Sequence, residues 1–413
     1  MNNSKLNSFL SNLNFILCFV GYQFCTTIFL PLSSNSDIEG ISRTVTVPYR
    51  IFALIISILV IIFNFNKSNI KTPLILKLFL FFWGILASRI LYDLYIRTDI
   101  SFQVDSFQLV MFIFGICIPA IISIINSYDK IDLSASFNWI LILFAVTVIF
   151  SSFSNPMLYI DSDEITSRLR GNLALNTISF GHLGVSAIIL ALFYIQKKNT
   201  KVIGKILAIA LLFSAFLIMV RSGSRSALAA LLFISFIWII SSIKGNKIEK
   251  IMLILFIFLF LFIFSDTILS LMGKISPLFE DRLRLAIYEG NTNGRDELYK
   301  IAFDMFLDNP FLGKSFLVHR LDNTYIYSHN ILLDAFMGLG ILGGMILLII
   351  LYYGIKYSYT IIKNKDENYW IGFILLQQII FNMFSSAFYY NQLLSALLTF
   401  VYLYFNKKHS CKF

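Results

Sequence analysis

Long apolar stretches separated by polar loops run along almost the whole chain. A membrane-spanning helix needs about 20 predominantly apolar residues, and twelve stretches approach that length. The pattern predicts an all-α, polytopic integral membrane protein with about 12 transmembrane helices, forming one membrane domain over residues 1–413. The first stretch lacks a small-residue cleavage site, so we expect a retained helix. The stretches are Leu13–Leu32, Tyr49–Phe65, Pro73–Tyr95, Asp105–Ile125, Phe137–Phe153, Leu175–Ile195, Val202–Val220, Ser224–Ile240, Ile251–Met272, Asn330–Tyr353, Tyr369–Ser386 and Asn391–Phe405.

One loop, residues 273–328, is long and polar, and part of it has helical periodicity. Thr292 or Asn293 can cap a helix whose first turn is acidic, and Asn309–Pro310 ends the pattern. We expect this amphipathic helix to lie flat on the outer membrane surface with Arg295 held close to the bilayer; the alternative is a structural lid with Arg295 solvated. The apolar face comprises Leu298, Ile301, Ala302, Met305 and Phe306.

Composition and charge agree with a membrane protein. The chain is 58% hydrophobic and 14% charged, with 43 phenylalanines, which excludes an ordinary water-soluble core. The net charge of +10 reflects topology and requires no nucleic acid. Lysine-bearing loops alternate with loops that lack lysine, apart from the long loop, which can translocate regardless of charge. Both termini are therefore expected in the cytoplasm. The cytoplasmic loops contain Lys67 and Lys71, Lys130, Lys197, Lys198 and Lys201, Lys244, Lys247 and Lys250, and Lys363 and Lys365.

Arginines have the opposite distribution and concentrate on the outward-facing side. A guanidinium group binds phosphate oxygens in pairs and stays charged when partly desolvated. As a set they indicate an anionic, lipid-linked substrate reached from the outer leaflet. For any single arginine, pairing with outer-loop acids or lipid headgroups is the alternative. The set is Arg43, Arg50, Arg89, Arg97, Arg168, Arg170, Arg221, Arg225, Arg282, Arg284, Arg295 and Arg320.

Two arginines flank a tight turn. The helix that ends near Val220 must reverse direction within a few residues, and Ser222-Gly223-Ser224 supplies a turn and a cap. Arg221 and Arg225 then stand beside free backbone N–H groups at the positive end of a helix dipole, which predicts a pyrophosphate site. The alternative is a hairpin whose arginines extend to lipid headgroups.

The segment that follows the long loop carries the candidate proton acceptor. Ser328 or Asn330 is expected to begin the tenth membrane helix, and the dipole at that end disfavours a charged His329. His329 is therefore predicted to be neutral and able to accept a proton, although an interfacial histidine is more often structural. Gly340 and Gly343 lie on roughly one face and predict close packing by another helix.

Other polar groups carry weaker signals. Arg168 and Arg170 are expected to join the anion site from the outer end of the sixth helix, and His182 is expected to be a packed polar residue within that helix. The run Asp161–Glu164 resembles a metal pair, but such triplets are common in solvated loops. The four cysteines have neither disulfide-framework nor metal-ligand spacing.

Three segments together resemble a known family. SRSALAALL, NGRDELYKIAFDMFLDNPFLGKS and SHNILLDAFMGLGILGG are similar to the O-antigen polymerases and O-antigen ligases, membrane glycosyltransferases that act on undecaprenyl-diphosphate-linked glycans at the periplasmic face. The resemblance covers roughly Arg168 onward. The His-Asn-x9-Gly-x-x-Gly element matches the ligase signature and is common among polymerases. The ligases' arginine followed four residues later by leucine is imperfect, because Ala229 follows Arg225 at that distance and Leu228 comes one position early.

The resemblance implies a GT-C-like fold and an inverting transfer in the bacterial inner membrane that needs neither metal nor cofactor. Undecaprenyl-diphosphate-linked oligosaccharide, membrane lipid and a chain-length regulator protein are the expected partners. We expect Arg225, Arg295 and Arg221 to bind the donor pyrophosphate, and His329 to orient or deprotonate the acceptor hydroxyl. Further substrate contacts are assigned to Arg168, Arg170, Arg320 and Asn330.

A polymerase is favoured because the arginine element of the ligases is broken. The near alternative is an O-antigen ligase, which transfers the glycan to lipid A-core. The distant alternative is a polysaccharide transporter or flippase. Transporters place ionisable or helix-breaking residues near the bilayer midplane and often contain repeated halves. This sequence has little of either, and Pro119 is the only proline deep in a predicted span.

Overall fold

Helices account for nearly all regular structure in the described part of the computed structural model. It describes residues 3–29, 38–65, 72–97, 106–153, 157–160, 167–170, 175–197, 200–242, 263–292, 294–319 and 325–409, with isolated positions between 249 and 260. The helices are α1 (Asn3–Ile16), α2 (Tyr22–Phe29), α3 (Ile38–Asn64), α4 (Leu74–Tyr95), α5 (Ser106–Val110), α6 (Ile118–Ser127), α7 (Leu133–Phe153), α8 (Thr177–Gln196), α9 (Val202–Arg221), α10 (Arg225–Ser242), α11 (Ser265–Gly273), α12 (Pro277–Tyr288), α13 (Arg295–Asp308), α14 (Ile331–Lys363), α15 (Trp370–Ser385) and α16 (Gln392–His409).

Short segments complete the secondary structure. The π-helical stretches Leu17–Gly21 and Met111–Cys117 join α1 to α2 and α5 to α6, so each pair forms one span. Two antiparallel hairpins lie in loops: β1 (Met157–Ile160) pairs with β2 (Ser167–Arg170), and β3 (Val318–His319) pairs with β4 (Tyr325–Ile326).

The prediction of an all-α, multi-pass membrane protein is confirmed. Nine helices in the described ranges are long and apolar enough to cross a membrane, and α15 is a shorter apolar helix. The last predicted stretch corresponds to α16. The ninth, Ile251–Met272, lies partly outside the described residues, and its described end forms the separate short helix α11.

Helix α8 lies at the centre of the bundle. Its spanning window is 72% buried, whereas those of α9 and α10 are 28% buried and expose apolar side chains at the surface. Gly184 permits close packing of α8 on α9, because a Cβ there would stand 2.6 Å from the Ala215 carbonyl oxygen.

Helix α14 is broken at Gly340, whose φ of 67° and ψ of −163° are non-helical. The long loop that precedes α14 docks on this break, where the Ile341 N–H donates to the Pro310 carbonyl at 2.7 Å and the Lys314 N–H donates to the Met337 carbonyl at 2.6 Å. A Cβ on Gly340 would stand 2.8 Å from the Pro310 oxygen. The glycine was predicted to admit another helix, and the structure corrects this: the close approach is made by the loop.

Helix α13 packs on the first half of α14. Leu298 and Ala302 are buried in a cluster with Val318 and Met337. The helix and its end before Asn309 are confirmed, although it begins after Gly294. Part of the face predicted to lie on the membrane packs on protein instead, whereas Phe303 and Leu307 on the same helix are exposed. The position of the helix on the membrane surface stays a prediction.

Several arginines of the set predicted to face outward hold the loop and its helices in place. Arg89 pairs with Asp93 at 3.1 Å and donates to the Lys314 carbonyl at 2.9 Å, which also accepts from Arg97 at 2.9 Å. Arg284 pairs with carboxylates on α11 and α12. For these three arginines, pairing within the protein is the correct interpretation.

Candidate active site at one end of the bundle

The turn between α9 and α10 forms as predicted. Helix α9 ends at Arg221, α10 begins at Arg225, and Gly223 has a φ of 62° that favours glycine. The Ser224 N–H donates to the Ser222 hydroxyl at 3.2 Å. Arg221 is exposed, whereas Arg225 is half-buried.

Arg225 and Arg295 form a pair of like charges. The Arg225 Nη1 donates to the Asn291 carbonyl at 2.5 Å, and its charge is repelled by that of Arg295. Burial lowers the pKa of Arg295 from its ordinary value. Within the described residues neither guanidinium has an ion-pair partner. Arg295 also opens α13, where the helix dipole disfavours a cation. An anion bound between the two would relieve both penalties.

His329 lies within the field of Arg295. Its φ of 62° is left-handed, which costs a non-glycine residue about 1–2 kcal/mol. The ring packs edge-on against Tyr327 with centroids 4.5 Å apart, and Nδ1 is buried without a hydrogen-bond partner among the described residues. Burial, followed by the charge of Arg295, lowers the pKa of His329 to about 4. The ring is therefore neutral at physiological pH and has a nitrogen available to accept a proton.

The structure thus brings together the three residues to which the sequence assigned catalysis. Arg225 donates a hydrogen bond to the carbonyl of Asn291, four residues before Arg295, and the charge of Arg295 acts on both Arg225 and His329. Each comes from a separate segment: the start of α10, the start of α13 and the residues just before α14.

Asn330 begins α14. Its side-chain Oδ1 accepts hydrogen bonds from the N–H groups of Leu332 at 3.0 Å and Leu333 at 3.2 Å. The predicted helix start at this position is confirmed. The Asn330 oxygen is used in this cap, and the substrate contact assigned to this residue stays a prediction.

Asp334 is a site residue that the sequence reasoning missed. It is 3% exposed, and its Oδ1 accepts from the Ser328 N–H at 3.0 Å and from the Ser328 hydroxyl at 2.7 Å. Its Oδ2 is buried without a hydrogen-bond partner in the described part of the chain. Asp334 fixes the residue that precedes His329. A carboxylate within a predicted membrane helix was the signal that could have identified it.

The remaining predicted substrate contacts are Arg221, Arg168, Arg170 and Arg320. No described contact joins Arg221 to Arg295 or His329. In β2, Arg168 and Arg170 pair through their backbone with β1, and their side chains lie outside the described part of the structure. Arg320 and the run 161–164 are also outside it. Among the described residues, no cluster of three His, Cys, Asp or Glu side chains could hold a metal ion.

His182 is packed within α8, as predicted. It is 3% exposed, and its ring nitrogens are hydrogen-bonded to Ser226 at 3.2 Å and to Gln377 at 2.9 Å. Ser226 directly follows Arg225, so this hydrogen bond connects His182 with the start of α10.

Comparison with known proteins agrees with the resemblance. Residues 209–348 match the family model described as O-antigen ligase, and this range contains Arg225, Arg295 and His329. No curated protein matches the chain. The match supports a glycosyltransferase-like function of the O-antigen ligase or polymerase type on lipid-linked polysaccharide. It does not separate polymerase from ligase.

Proposed function

We propose that this protein is an O-antigen, or related surface polysaccharide, polymerase. It transfers undecaprenyl-diphosphate-linked glycan onto a lipid-linked repeat unit at the periplasmic face of the bacterial inner membrane, and both termini are cytoplasmic. The observation that carries the proposal is the convergence of Arg225, Arg295 and His329 at one end of the bundle.

The arginine pair is assigned to the donor. The bond between the anomeric carbon and the diphosphate oxygen breaks with its electron pair moving to oxygen, so negative charge grows on the leaving undecaprenyl diphosphate. Two guanidinium groups without a carboxylate partner stabilise that charge in place of a metal ion. Arg221, at the exposed end of the same turn, is assigned to the edge of the diphosphate site. Loss of one such contact costs about 3–4 kcal/mol of barrier.

His329 is assigned to the acceptor. The acceptor hydroxyl oxygen attacks the anomeric carbon from the side opposite the diphosphate, so the configuration inverts. The neutral ring takes the hydroxyl proton on one of its nitrogens and later returns it to solvent. Asn330 Nδ2 and the outer-loop arginines Arg168, Arg170 and Arg320 are assigned to the remaining polar groups of the substrates. A chain-length regulator is the proposed protein partner.

A ligase is the second candidate, because the matching family model carries that description. The same arginines and histidine would serve it, and only the acceptor would differ: lipid A-core in place of a lipid-linked repeat unit. A transporter is disfavoured by the position of the site, since transporters bind substrate near the bilayer midplane.

The test is His329→Ala in cells that lack the native gene, with lipopolysaccharide separated on a gel. The matched control is His409→Ala at the end of the last helix. We expect normal protein levels for both variants and loss of the polymer ladder for His329→Ala alone. Core carrying one repeat supports a polymerase, and bare core with polymer on the lipid carrier identifies a ligase. A full ladder removes His329 from catalysis.

A further inference from the structure

A cavity of about 380 Å³ lies among the helices beside the candidate active site. Its wall includes Ser179 in the first turn of α8, Ser385 at the end of α15 and Gln392 at the start of α16. Because successive spans run in opposite directions, these positions share the end of the bundle that holds His329. The volume falls within the range of small-ligand pockets.

The wall of the cavity is mainly apolar and aromatic, with polar side chains placed among the rings. Side-chain amides of Gln23, Asn176 and Gln378 face it together with serine hydroxyls and the rings of Tyr22 and Phe381. Amides and hydroxyls are hydrogen-bond partners for sugar hydroxyls, and aromatic faces pack on apolar C–H surfaces. Small-molecule sites commonly combine such an apolar and aromatic wall with a few placed polar groups.

Two of these polar groups are available for a ligand. The side chains of Gln23 and Ser179 make no hydrogen bond among the described residues, although both contribute to the wall. Arg50 also lines the cavity; it is 8% exposed, and its guanidinium lies 4.2 Å from the centre of the Phe112 ring.

A single side chain connects the cavity with His329. The Tyr327 ring forms part of the wall and lies 4.5 Å from the His329 ring and 6.0 Å from the Tyr390 ring, centroid to centroid. A molecule in the cavity therefore reaches Tyr327, and the His329 ring packs edge-on against that side chain.

We propose that this cavity is a sugar-binding subsite that holds a terminal sugar of the acceptor glycan and presents its hydroxyl to His329 past Tyr327. The inference rests on the proposed transferase function and adds the location of the acceptor. It also gives the amides and the buried cation a role in substrate recognition.

The test measures binding separately from transfer. Purified protein in lipid nanodiscs is titrated with the free repeat-unit oligosaccharide, released from the polysaccharide of the source cells, and thermal stabilisation is recorded. Ser179→Phe fills the cavity. Ser235→Phe is the matched control, because Ser235 is exposed on the lipid-facing side of α10. We expect stabilisation of the wild type and the control, and an affinity at least tenfold weaker in Ser179→Phe.

A second variant keeps the inference testable if Ser179→Phe does not fold. Gln23→Leu keeps the side-chain volume but removes the amide, and we expect it to weaken oligosaccharide binding several-fold. Undecaprenyl phosphate, which lacks sugar, is the second probe. The inference is overturned if the oligosaccharide does not stabilise the wild type, if both cavity variants bind like it, or if undecaprenyl phosphate gives the same variant-sensitive stabilisation.

His329→Ala separates this inference from the proposed function. We expect it to bind the oligosaccharide normally while transfer is lost. If the wild-type protein builds polymer but its acceptor KM is unchanged by Ser179→Phe and Gln23→Leu, the subsite is refuted and the transferase stands. If the oligosaccharide binds in the cavity and no transfer to any glycan acceptor is found, the proposed function fails.

Discussion

The connection between Asp334 and Ser328 gives the most informative test of how the site is held. Asp334→Ala removes the acceptor of two hydrogen bonds, from the Ser328 N–H and hydroxyl, and leaves both donors in a residue that is fully buried. The residue that follows, His329, has a left-handed backbone at a φ of 62°. We expect the loss of these hydrogen bonds to change the orientation of His329 and to leave binding of the lipid-linked glycan donor unchanged.

The size of the effect follows from these contacts. Leaving a buried donor without its acceptor costs about 1–3 kcal/mol, which is comparable to the cost of about 1–2 kcal/mol for a left-handed histidine. Without the two hydrogen bonds, His329 relaxes to ordinary backbone conformations, and its productive population falls by about tenfold, since 1.4 kcal/mol is a factor of about ten. Asp334→Asn keeps one acceptor oxygen, so it should lower the productive population of His329 by a smaller factor.

The assay is transfer by purified protein, with kcat and the donor KM measured separately. Asp334→Ala should lower kcat by about tenfold or more and leave the donor KM unchanged, because the arginine pair is intact. Asp304→Ala, an exposed carboxylate on α13, is the control. Wild-type kcat in folded Asp334→Ala, or an equal loss in the control, would refute the reasoning.

Three further predictions follow from the site. Arg225→Lys keeps the charge but loses the planar fork, so polymer formation should fall by about two to three decades; a normal ladder on the gel would contradict a phosphate role. Because burial and the Arg295 charge hold the pKa of His329 at about 4, kcat/KM should stay constant from pH 7 to about pH 5 and decline near pH 4. Arg295→Gln should move that decline to higher pH, and an unmoved profile would exclude His329 as the titrating base. A periplasm-dependent reporter should be active when fused after Lys300 and silent after Lys247, and the reverse pattern would exclude a periplasmic site.

Features encoded by neighbouring residues were predictable from the sequence. Apolar composition identified the spans, and Asn309–Pro310 marked the end of α13. The Ser222–Ser224 turn followed from local backbone and capping preferences. Arg225, Arg295 and His329 stood out because polar groups beside apolar runs are costly unless they have a role.

Features that depend on distant segments were not predictable. Arg89 resembled the other outward arginines, and only its contacts with Asp93 and the 312–314 carbonyls show that it holds the loop. The face of α13 was correctly read as apolar, but whether lipid or protein covers it depends on how the loop folds back. The cavity likewise requires several helices to meet, and no single segment encodes it.

The break at Gly340 divides α14 into two parts with different constraints on length. Residues 331–339 connect the docked loop to His329, and each residue of an α-helix advances about 1.5 Å and turns about 100°. One residue inserted there would turn His329 away from Arg295, whereas one inserted beyond residue 341 would lengthen only the opposite half. The interval between the histidine and this glycine should therefore not tolerate insertion. The far half can vary in length with bilayer thickness.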